Sequence, residues 1–339
     1  MPRILKLIVS LCMNILGIES SCDDTSASVL TDEGVKSNII ASQTIHVKFG
    51  GVVPELASRA HQQTISYTVE QALEEADISL ENIDLVAVTQ GPGLMGSLLV
   101  GVCFAKGISL SKNIPMVGVN HMHAHIYANF IDQSPQFPFV CLTVSGGHTQ
   151  LVFVKAAFEH EILGETRDDA AGEAFDKIGK ILGLDYPAGP QMDRLSKKGN
   201  PRFHSFPQAL LNKGLDFSFS GLKTSALYFM QDKSEEWKRE HIHHISASIS
   251  EAITEILIKK LTTAVKQTGV NSIAIAGGVS ANSMLRAKAE KIAINMNLNL
   301  HIPHPTYCTD NAAMIAITGK MKYESGKIDD LSMRPFASL

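Results

Sequence analysis

The sequence predicts an α/β protein of two domains, each built around a mixed β-sheet. The chain has 339 residues, which suits two domains of roughly 100–200 residues each. Apolar runs typical of strands alternate with helical patterns along most of its length. A strand, a small polar turn and a returning strand occur near residue 14 and again near residue 139. This repetition suggests an internal duplication.

The first half begins with an apolar strand at 14–19, a polar turn at 20–26 and a returning strand from residue 28. A long segment follows in which apolar residues recur every three or four positions, as in an amphipathic helix. Asn120 provides the side-chain acceptor that favours a helix start. The elements predicted after this hairpin are helix 55–76, strand 83–89, a glycine-rich turn at 90–96 leading into a helix to residue 110, strand 115–119 and helix 121–130.

Ser134, Pro135 and Pro138 indicate a linker before the second half. Asp168 and Asp169 predict a helix start, because aspartate caps helix N-termini. The stretch 184–222 is rich in proline and glycine and predicts loops. The elements predicted in this half are strands 139–144, 150–154, 272–276 and 298–302, and helices 168–182, 241–267, one from about 282 and one from 310.

These elements place one domain at 13–130 and the other at 139–339, with the last helix, 310–325, packing back on the first domain. Residues 1–12 are interpreted as a short extension. They faintly resemble a signal peptide, but no A-x-A-like cleavage site follows. No other stretch reaches the roughly 18 apolar residues that a membrane span needs. We therefore expect a cytoplasmic protein without a membrane segment.

The charge balance and the cysteines exclude several classes of protein. The chain carries 30 basic and 34 acidic residues, a net charge of −4, which excludes a broadly basic nucleic-acid-coating protein. A nucleic-acid substrate held by a local patch stays compatible with this balance. The five cysteines contain no CxxC pair, which argues against a disulfide framework or a cysteine-rich zinc module and favours a reducing cytosol.

The glycine-rich turn at 91–96 matches G-x-G-x-x-G between a strand and a helix. A dinucleotide site also needs an acidic residue about 20 positions later, where this chain has an apolar stretch ending in Asn120. Pro92 moreover removes a backbone donor from the turn. We interpret the motif as a tight turn that allows close packing of helix and strand.

A histidine cluster offers a metal site. On a helix, His121 and His125 are spaced i and i+4 and lie on one face. Met122 stands where the glutamate of H-E-x-x-H would be, so the usual protease base is missing. Asp310 is the candidate third ligand, giving a two-histidine, one-carboxylate face suited to iron(II), with zinc as the alternative. The competing interpretation is two surface histidines and an aspartate that merely caps a helix.

Two glycine turns, at 145–148 and 277–282, can bind a phosphate through backbone N–H groups. Each is equally compatible with a purely structural turn. Helical spacing predicts the solvent-exposed pairs Glu173–Lys177 and Asp176–Lys180. The histidines at 241, 243 and 244 are interpreted as an exposed helix end.

Taken together, eight segments resemble one family, the bacterial tRNA N6-adenosine threonylcarbamoyltransferases, formerly labelled O-sialoglycoprotein endopeptidases. The resemblance runs in order from about residue 14 to the last helix. The segments are IESSCDDT at 18–25, GGVVPELASR at 50–59, NHMHAH at 120–125, VSGGHTQL at 144–151, DDAAGEAFDK at 168–177, DFSFSGLKT at 216–224, AGGVSAN at 276–282 and CTDNAA at 308–313.

The resemblance implies an actin-like fold, two duplicated α/β domains around a nucleotide cleft. It implies that His121, His125 and Asp310 bind one iron(II), or zinc. Ala188 and Ala312 depart from glycines common in the family, and neither change removes a named group. The residues implied to bind threonylcarbamoyl-AMP are Thr143, Val144, Ser145, Gly146, Gly147, Asp176, Gly189, Asp193 and Asn282.

The implied reaction transfers the threonylcarbamoyl group from its AMP anhydride to the N6 amine of the adenosine beside the anticodon, in tRNAs that read ANN codons. The implied partners are tRNA, a catalytically reduced paralogue and a small ATPase. A metallopeptidase and an ATP-binding actin-like scaffold are the alternatives. The net charge predicts weak tRNA binding by this chain alone. The candidates for a local basic patch are Lys36, Lys48, Arg59, Lys106 and Lys112.

Overall fold

The computed structural model describes residues 13–49 and 51–338, so the predicted extension at 1–12 lies outside the described residues. Ten strands are found in the described part of the chain. In order they are β1 (Ile15–Glu19), β2 (Asp24–Thr31), β3 (Gly34–Ser42), β4 (Leu85–Gly91), β5 (Met116–Asn120), β6 (Phe139–Val144), β7 (Thr149–Ala156), β8 (Glu159–Glu165), β9 (Ser272–Ala276) and β10 (Asn299–His301).

The strands form two five-stranded sheets with the same topology. The first has the order β3-β2-β1-β4-β5 and the second β10-β9-β6-β7-β8. In each sheet the first strand of its half pairs antiparallel with the second and parallel with the fourth. Two mixed sheets with equivalent connections are the arrangement that the repeated hairpin predicted. The domain boundaries themselves stay a prediction.

Nine α-helices in the described residues connect and cover these sheets. They are α1 (Pro54–Glu75), α2 (Met95–Lys112), α3 (His121–Tyr127), α4 (Ala171–Ile181), α5 (Gly189–Ser196), α6 (Ser220–Gln231), α7 (Glu235–Thr268), α8 (Ser283–Met296) and α9 (Ala312–Glu324). The predicted helix at 55–76 is confirmed to within one residue at each end.

Several predicted boundaries are wrong for identifiable reasons. The turn predicted at 20–26 is shorter, because β2 already begins at Asp24. The strands β3 and β8 were missed, since each is an edge strand with few fully buried positions. The loop predicted at 184–222 contains α5, whose Pro190 stands in the first turn, a position where a missing N–H costs nothing. It also contains the first turn of α6.

Two predicted helix starts are wrong in a way that matters for the site. Asp168 does not cap α4, which begins at Ala171; its carboxylate instead accepts hydrogen bonds from the backbone of Phe219 and from the Ser218 hydroxyl. Asp310 does not begin α9 either. Asn311 is the N-cap of that helix, and its side chain accepts a hydrogen bond from the Met314 N–H. The Asp310 carboxylate is therefore not used for capping.

The helix predicted at 241–267 is longer than expected. α7 has 34 residues and begins at Glu235, with Ser234 as its N-cap. The histidines at 241, 243 and 244 are consequently half-buried within the helix rather than exposed at its end. The ring of His241 stacks on Trp237, with 4.1 Å between ring centroids.

The last helix packs on the first sheet although it follows the second sheet in sequence. Ile315 of α9 belongs to the same buried cluster as Ile15 and Val119 of that sheet. Gly17 permits this contact, since a Cβ atom there would lie 2.3 Å from the Ala312 carbonyl oxygen. This packing carries the segment around Asp310 across to the ends of β1 and β5.

By length and composition, one helix among the described residues could cross a membrane, namely α2. A core helix of a soluble protein passes the same test, and a single such helix is weak evidence for a span. Here α2 packs against α1 and β4, and Val102 and Ala105 belong to the core of the first half.

A half-buried histidine pair, His123 and His160, joins α3 to the edge of the second sheet. The His160 ring lies 4.2 Å from that of His123, and its Nε2 is 2.9 Å from the Tyr127 hydroxyl. That hydroxyl also accepts a hydrogen bond from the Phe158 N–H, so it donates its own hydrogen to a neutral His160. Burial lowers the pKa of His160 from 6.5 to about 4.

This histidine is expected to make the fold acid-sensitive. Because its pKa is lower in the folded than in the unfolded chain, the unfolded chain binds more protons between pH 6.5 and 4. Its contribution to stability is present above that window and is lost as the pH falls through it. The free energy of unfolding, measured in urea, should decrease between pH 7 and pH 5 in the parent, and it should decrease less in His160→Gln. An equal loss in both proteins would contradict this role.

Candidate metal centre and cleft

A short helix at the end of β5 carries the two histidines of the predicted metal site. The Asn120 side chain accepts a hydrogen bond from the His123 N–H and so starts α3 directly after the strand. His121 and His125 lie one turn apart and are both buried. Their ring centroids are 4.7 Å apart. The interpretation of these residues as two surface histidines is therefore wrong.

Asp310 completes a three-residue group. Its Oδ1 lies 3.2 Å from the Nε2 of His125 and 3.6 Å from that of His121. One possible ligand atom from each of these three residues lies within 4.8 Å of the others. The predicted ligands thus come together, although Asp310 is some 190 residues from the histidines in sequence.

The donor set fits a divalent transition metal. The Nε2 of His125 is buried and, despite the nearby carboxylate, makes no aligned hydrogen bond. Nitrogen and oxygen lone pairs that converge without hydrogen bonding one another are what a shared cation requires. Two imidazoles and a carboxylate suit iron(II) or zinc and leave coordination positions open. The group can bind a metal, and it does not discriminate between these two ions.

The charges within this group balance one another. Burial disfavours the charged imidazole of His121, but the carboxylates of Asp310 and Glu19 outweigh this effect and raise its pKa to about 9. Burial likewise favours the neutral acid of Asp310, yet His121 and His125 hold its pKa below the usual value. Protons therefore compete with a cation for the same ligand atoms.

Glu19 is a buried acidic residue that the sequence-based prediction did not include. It ends β1, and its Oε2 lies 3.1 Å from the Nδ1 of His121. Its Oε1 accepts a hydrogen bond from the Ser21 N–H, and Thr89 donates to Oε2. One signal was present in the sequence: an acidic residue ends an otherwise apolar strand immediately before the Ser20–Asp23 turn.

The metal group opens into a cleft of about 1400 Å³ between the two halves of the chain. The first half contributes Cys22 and Asp23, and the second half contributes the turn at 145–148. Six residues named from the sequence line this cleft together: His121, Ser145, Gly146, Gly147, Asp176 and Asp310. Two of the three candidate metal ligands, His121 and Asp310, and the glycine turn therefore face the same space.

The turn after β6 has the geometry of an open backbone cradle. The Ser145 N–H donates to the His148 carbonyl, and the Ser145 hydroxyl accepts from the His148 N–H. A Cβ atom added at Gly146 or at Gly147 would meet no atom within 4 Å. Neither glycine is therefore required by packing within the chain, which is expected where a ligand approaches the backbone closely.

The other residues named for the nucleotide are engaged within the protein. Asp176 accepts hydrogen bonds from the N–H groups of Ala188 and Gly189 through Oδ1, rather than pairing with Lys180. Asp193 accepts from the backbone and hydroxyl of Ser283. The Asn282 oxygen caps α8 by accepting from the Leu285 N–H.

These contacts leave a polar atom free to bind a ligand on two of these side chains, Asp176 and Asn282. The second carboxylate oxygen of Asp176 and the amide nitrogen of Asn282 make no hydrogen bond in the described part of the chain. The second oxygen of Asp193 lies 3.3 Å from the Lys197 ammonium. Thr143 and Val144 are buried in β6 and support the turn from beneath.

The G-x-G-x-x-G segment serves close packing, as interpreted. A Cβ at Gly93 would lie 2.5 Å from the Ser21 carbonyl oxygen. The N–H groups of Gly93 and Leu94 donate to the carbonyls of Ala337 and Ser21. These donors are used within the chain, so the turn offers no free set for a pyrophosphate.

Comparisons with known proteins identify the family. The family model of the tRNA N6-adenosine threonylcarbamoyltransferases matches residues 34–317. A relative of that name from Riemerella anatipestifer is 52% identical, the match covering 94% of this chain and 95% of the relative. The chain belongs to this family. A second relative, from Prosthecochloris aestuarii, is 49% identical over 96% of this chain and 99% of its own.

Solved structures support the fold. The HypF protein of T. kodakarensis aligns with a TM-score of 0.63 at 13% identity, covering 94% of this chain and 50% of HypF. Component A of the (R)-2-hydroxyglutaryl-CoA dehydratase from Acidaminococcus fermentans aligns with a TM-score of 0.56 at 12% identity. This alignment covers 93% of this chain and 100% of component A. The predicted actin-like α/β fold with two mixed sheets is confirmed. Since the chain belongs to the threonylcarbamoyltransferase family, it is a transferase.

Proposed function

We propose that this protein transfers the threonylcarbamoyl group of threonylcarbamoyl-AMP to the N6 amine of the adenosine on the 3′ side of the anticodon, in tRNAs that read ANN codons. The observation that carries the proposal is the shared cleft. Its walls contain an open glycine turn together with His121 and Asp310, two members of the two-histidine, one-aspartate group, and His125 is buried behind them. An acyl-phosphate donor needs both a polarised carbonyl and a stabilised phosphate leaving group, and these two features match those needs.

The donor is held by residues of this chain at both ends. His121, His125 and Asp310 would hold one iron(II), or zinc, which supplies Lewis-acid polarisation of a donor oxygen when bound. The backbone N–H groups of Gly146 and Gly147, where the space beside the backbone is open, would bind the phosphate. The unengaged oxygen of Asp176 and the amide of Asn282 suit the hydroxyls and base of the nucleoside. Thr143, Val144, Gly189 and Asp193 position these groups.

Weak tRNA binding by the isolated chain follows from its charge. Of the five basic residues suggested from the sequence, Lys36, Arg59 and Lys112 form ion pairs with neighbouring glutamates, and the Lys48 side chain lies outside the described residues. Lys180 and Lys223 line the cleft instead and have no ion-pair partner among the described residues. We propose that a catalytically reduced paralogue and a small ATPase supply the remaining contacts, in the cytoplasm.

The proposal is tested with the complete set of components. The chain, the paralogue and the ATPase are combined with an unmodified tRNA transcript and threonylcarbamoyl-AMP, and the tRNA nucleosides are analysed. Threonylcarbamoyladenosine should appear, and it should be absent when guanosine replaces the target adenosine. If no threonylcarbamoyladenosine is formed, the proposal is overturned. Peptide hydrolysis without transfer would favour a metallopeptidase, and ATP binding alone would favour a scaffold.

The glycine turn yields a separate prediction. Gly147→Ala should leave the free energy of unfolding within about 0.5 kcal/mol of the parent, because the added methyl meets no protein atom. The dissociation constant for AMP, measured by calorimetry, should rise roughly tenfold or more, because the methyl occupies ligand space. Gly107→Ala in α2 is the matched control, as its Cβ is equally unopposed. Unchanged AMP affinity would argue against the cradle.

A further inference from the structure

The contacts of Glu19 decide which nitrogen of His121 carries a proton. The Nδ1 of His121 has two neighbours, the Glu19 Oε2 at 3.1 Å and the Ser21 hydroxyl at 3.2 Å. An ionised carboxylate can only accept a hydrogen bond, whereas a hydroxyl can either accept or donate. In the neutral imidazole that binds a metal, contact with the carboxylate therefore requires the one hydrogen to be on Nδ1 and leaves the Nε2 lone pair on the side of Asp310.

Glu19 itself is held rigidly in this position. It is fully buried at the end of β1. Thr89 donates to the same oxygen that meets His121, at 2.6 Å, and the Ser21 N–H donates to the other oxygen, at 2.5 Å. All three contacts present hydrogens to the carboxylate, which is the arrangement that favours its ionised, acceptor-only form.

His125 has no comparable partner. Its Nδ1 is buried and makes no hydrogen bond within the described residues. Of the two imidazoles, only His121 therefore has a carboxylate that fixes the orientation of its ring through Nδ1. A ligand histidine whose second nitrogen is held by a carboxylate is fixed in ring orientation and becomes a stronger donor.

We infer that Glu19 is a positioning residue of the metal centre, which sets the tautomer of His121 and thereby the affinity for the metal. This inference rests on the proposed metal site. Without the carboxylate, the Ser21 hydroxyl can donate to Nδ1 and so place the histidine hydrogen on Nε2, where it blocks the ligand atom.

The test measures zinc affinity by competition with a chromophoric chelator, using the full chain. Glu19→Gln keeps the shape of the side chain but can present either an oxygen or an NH₂ group to His121. We expect the zinc dissociation constant to rise about 10- to 100-fold. Glu33→Gln is the matched control, an exposed glutamate in the β2–β3 turn, and should bind zinc as the parent does.

A second variant separates tautomer control from a purely structural role. In Glu19→Gln, adding Ser21→Ala removes the hydroxyl that competes for Nδ1 and should recover part of the lost affinity. ¹⁵N spectra of the zinc-bound parent should show a hydrogen on Nδ1 of His121. If Glu19→Gln binds zinc as tightly as the parent while His121→Ala does not, the inference is overturned and the metal site stands. If the parent itself binds no zinc, both fail.

Discussion

Replacing His121 and His125 together by alanine is expected to abolish metal binding and to reduce threonylcarbamoyl transfer by roughly 10³-fold, equivalent to about 4 kcal/mol of transition-state stabilisation. The two imidazoles supply two of the three converging donors. Asp310 alone leaves a single carboxylate, which cannot retain a transition metal against water. Metal content of the purified protein and the rate of tRNA modification are the two measurements.

The matched control lies on the same helix. His123 stands between the two candidate ligands in sequence, but its ring packs on His160. His123→Gln should therefore keep the metal and most of the transfer rate, while removing one histidine from the same segment. Full metal content in the double variant would refute the assignment of the ligands. Undiminished transfer by metal-depleted parent protein would refute the role of the metal in the reaction.

The local part of this site could be predicted from the sequence. Asn120 starts α3 through its own side chain, and the i, i+4 spacing then fixes His121 and His125 on one face. Both relations involve residues within one or two helical turns, where backbone geometry alone decides the outcome. The same holds for the glycine turn after β6, whose shape depends on hydrogen bonds between Ser145 and His148.

The parts that sequence patterns missed depend on distant partners. Asp168 lies three residues before the start of α4 and looks like a helix cap, but Ser218 and Phe219, some 50 residues later, supply its hydrogen bonds. Glu19 shows in the sequence only as an acidic residue at the end of an apolar strand, and its contacts form only when β4 and α3 bring Thr89 and His121 to it. Tertiary contacts override local preference in both cases.

The edge strands and the helix within the predicted loop were missed for a different reason. β8 has a single fully buried position and several charged residues, since only one of its edges pairs with another strand. Hydrophobic periodicity therefore carries little signal there. For Asp310, residue patterns left a candidate third ligand and a helix cap both open. The family resemblance, which draws on the whole chain at once, implied the ligand role.

Lys260→Met is expected to lower the free energy of unfolding by about 3 kcal/mol or more, although the residue is far from the metal group. Lys260 lies on α7, is only 1% exposed, and donates to the carbonyl oxygens of Leu210, Lys213 and Gly214. Methionine keeps the apolar stem and removes the three donors. A fully buried carbonyl left without a partner costs about 1–3 kcal/mol, and these three carbonyls are partly buried. Methionine offsets part of the loss, because it carries no charge that must be removed from water on folding.

The control and the pattern of unfolding distinguish this anchor from a general loss of packing. Lys259→Met, one residue earlier and exposed, should leave stability unchanged in urea titrations. Leu210 and Gly214 both have positive φ, 55° and 56°, so the loop they form needs external support. It leads directly into Asp216, which pairs with Arg167 before α6 begins.

Hydrogen exchange should therefore increase first across residues 208–219 in Lys260→Met. Because α6 carries Lys223 into the cleft, tRNA affinity should fall with it, whereas unchanged exchange in this loop would show that the ammonium does not anchor it.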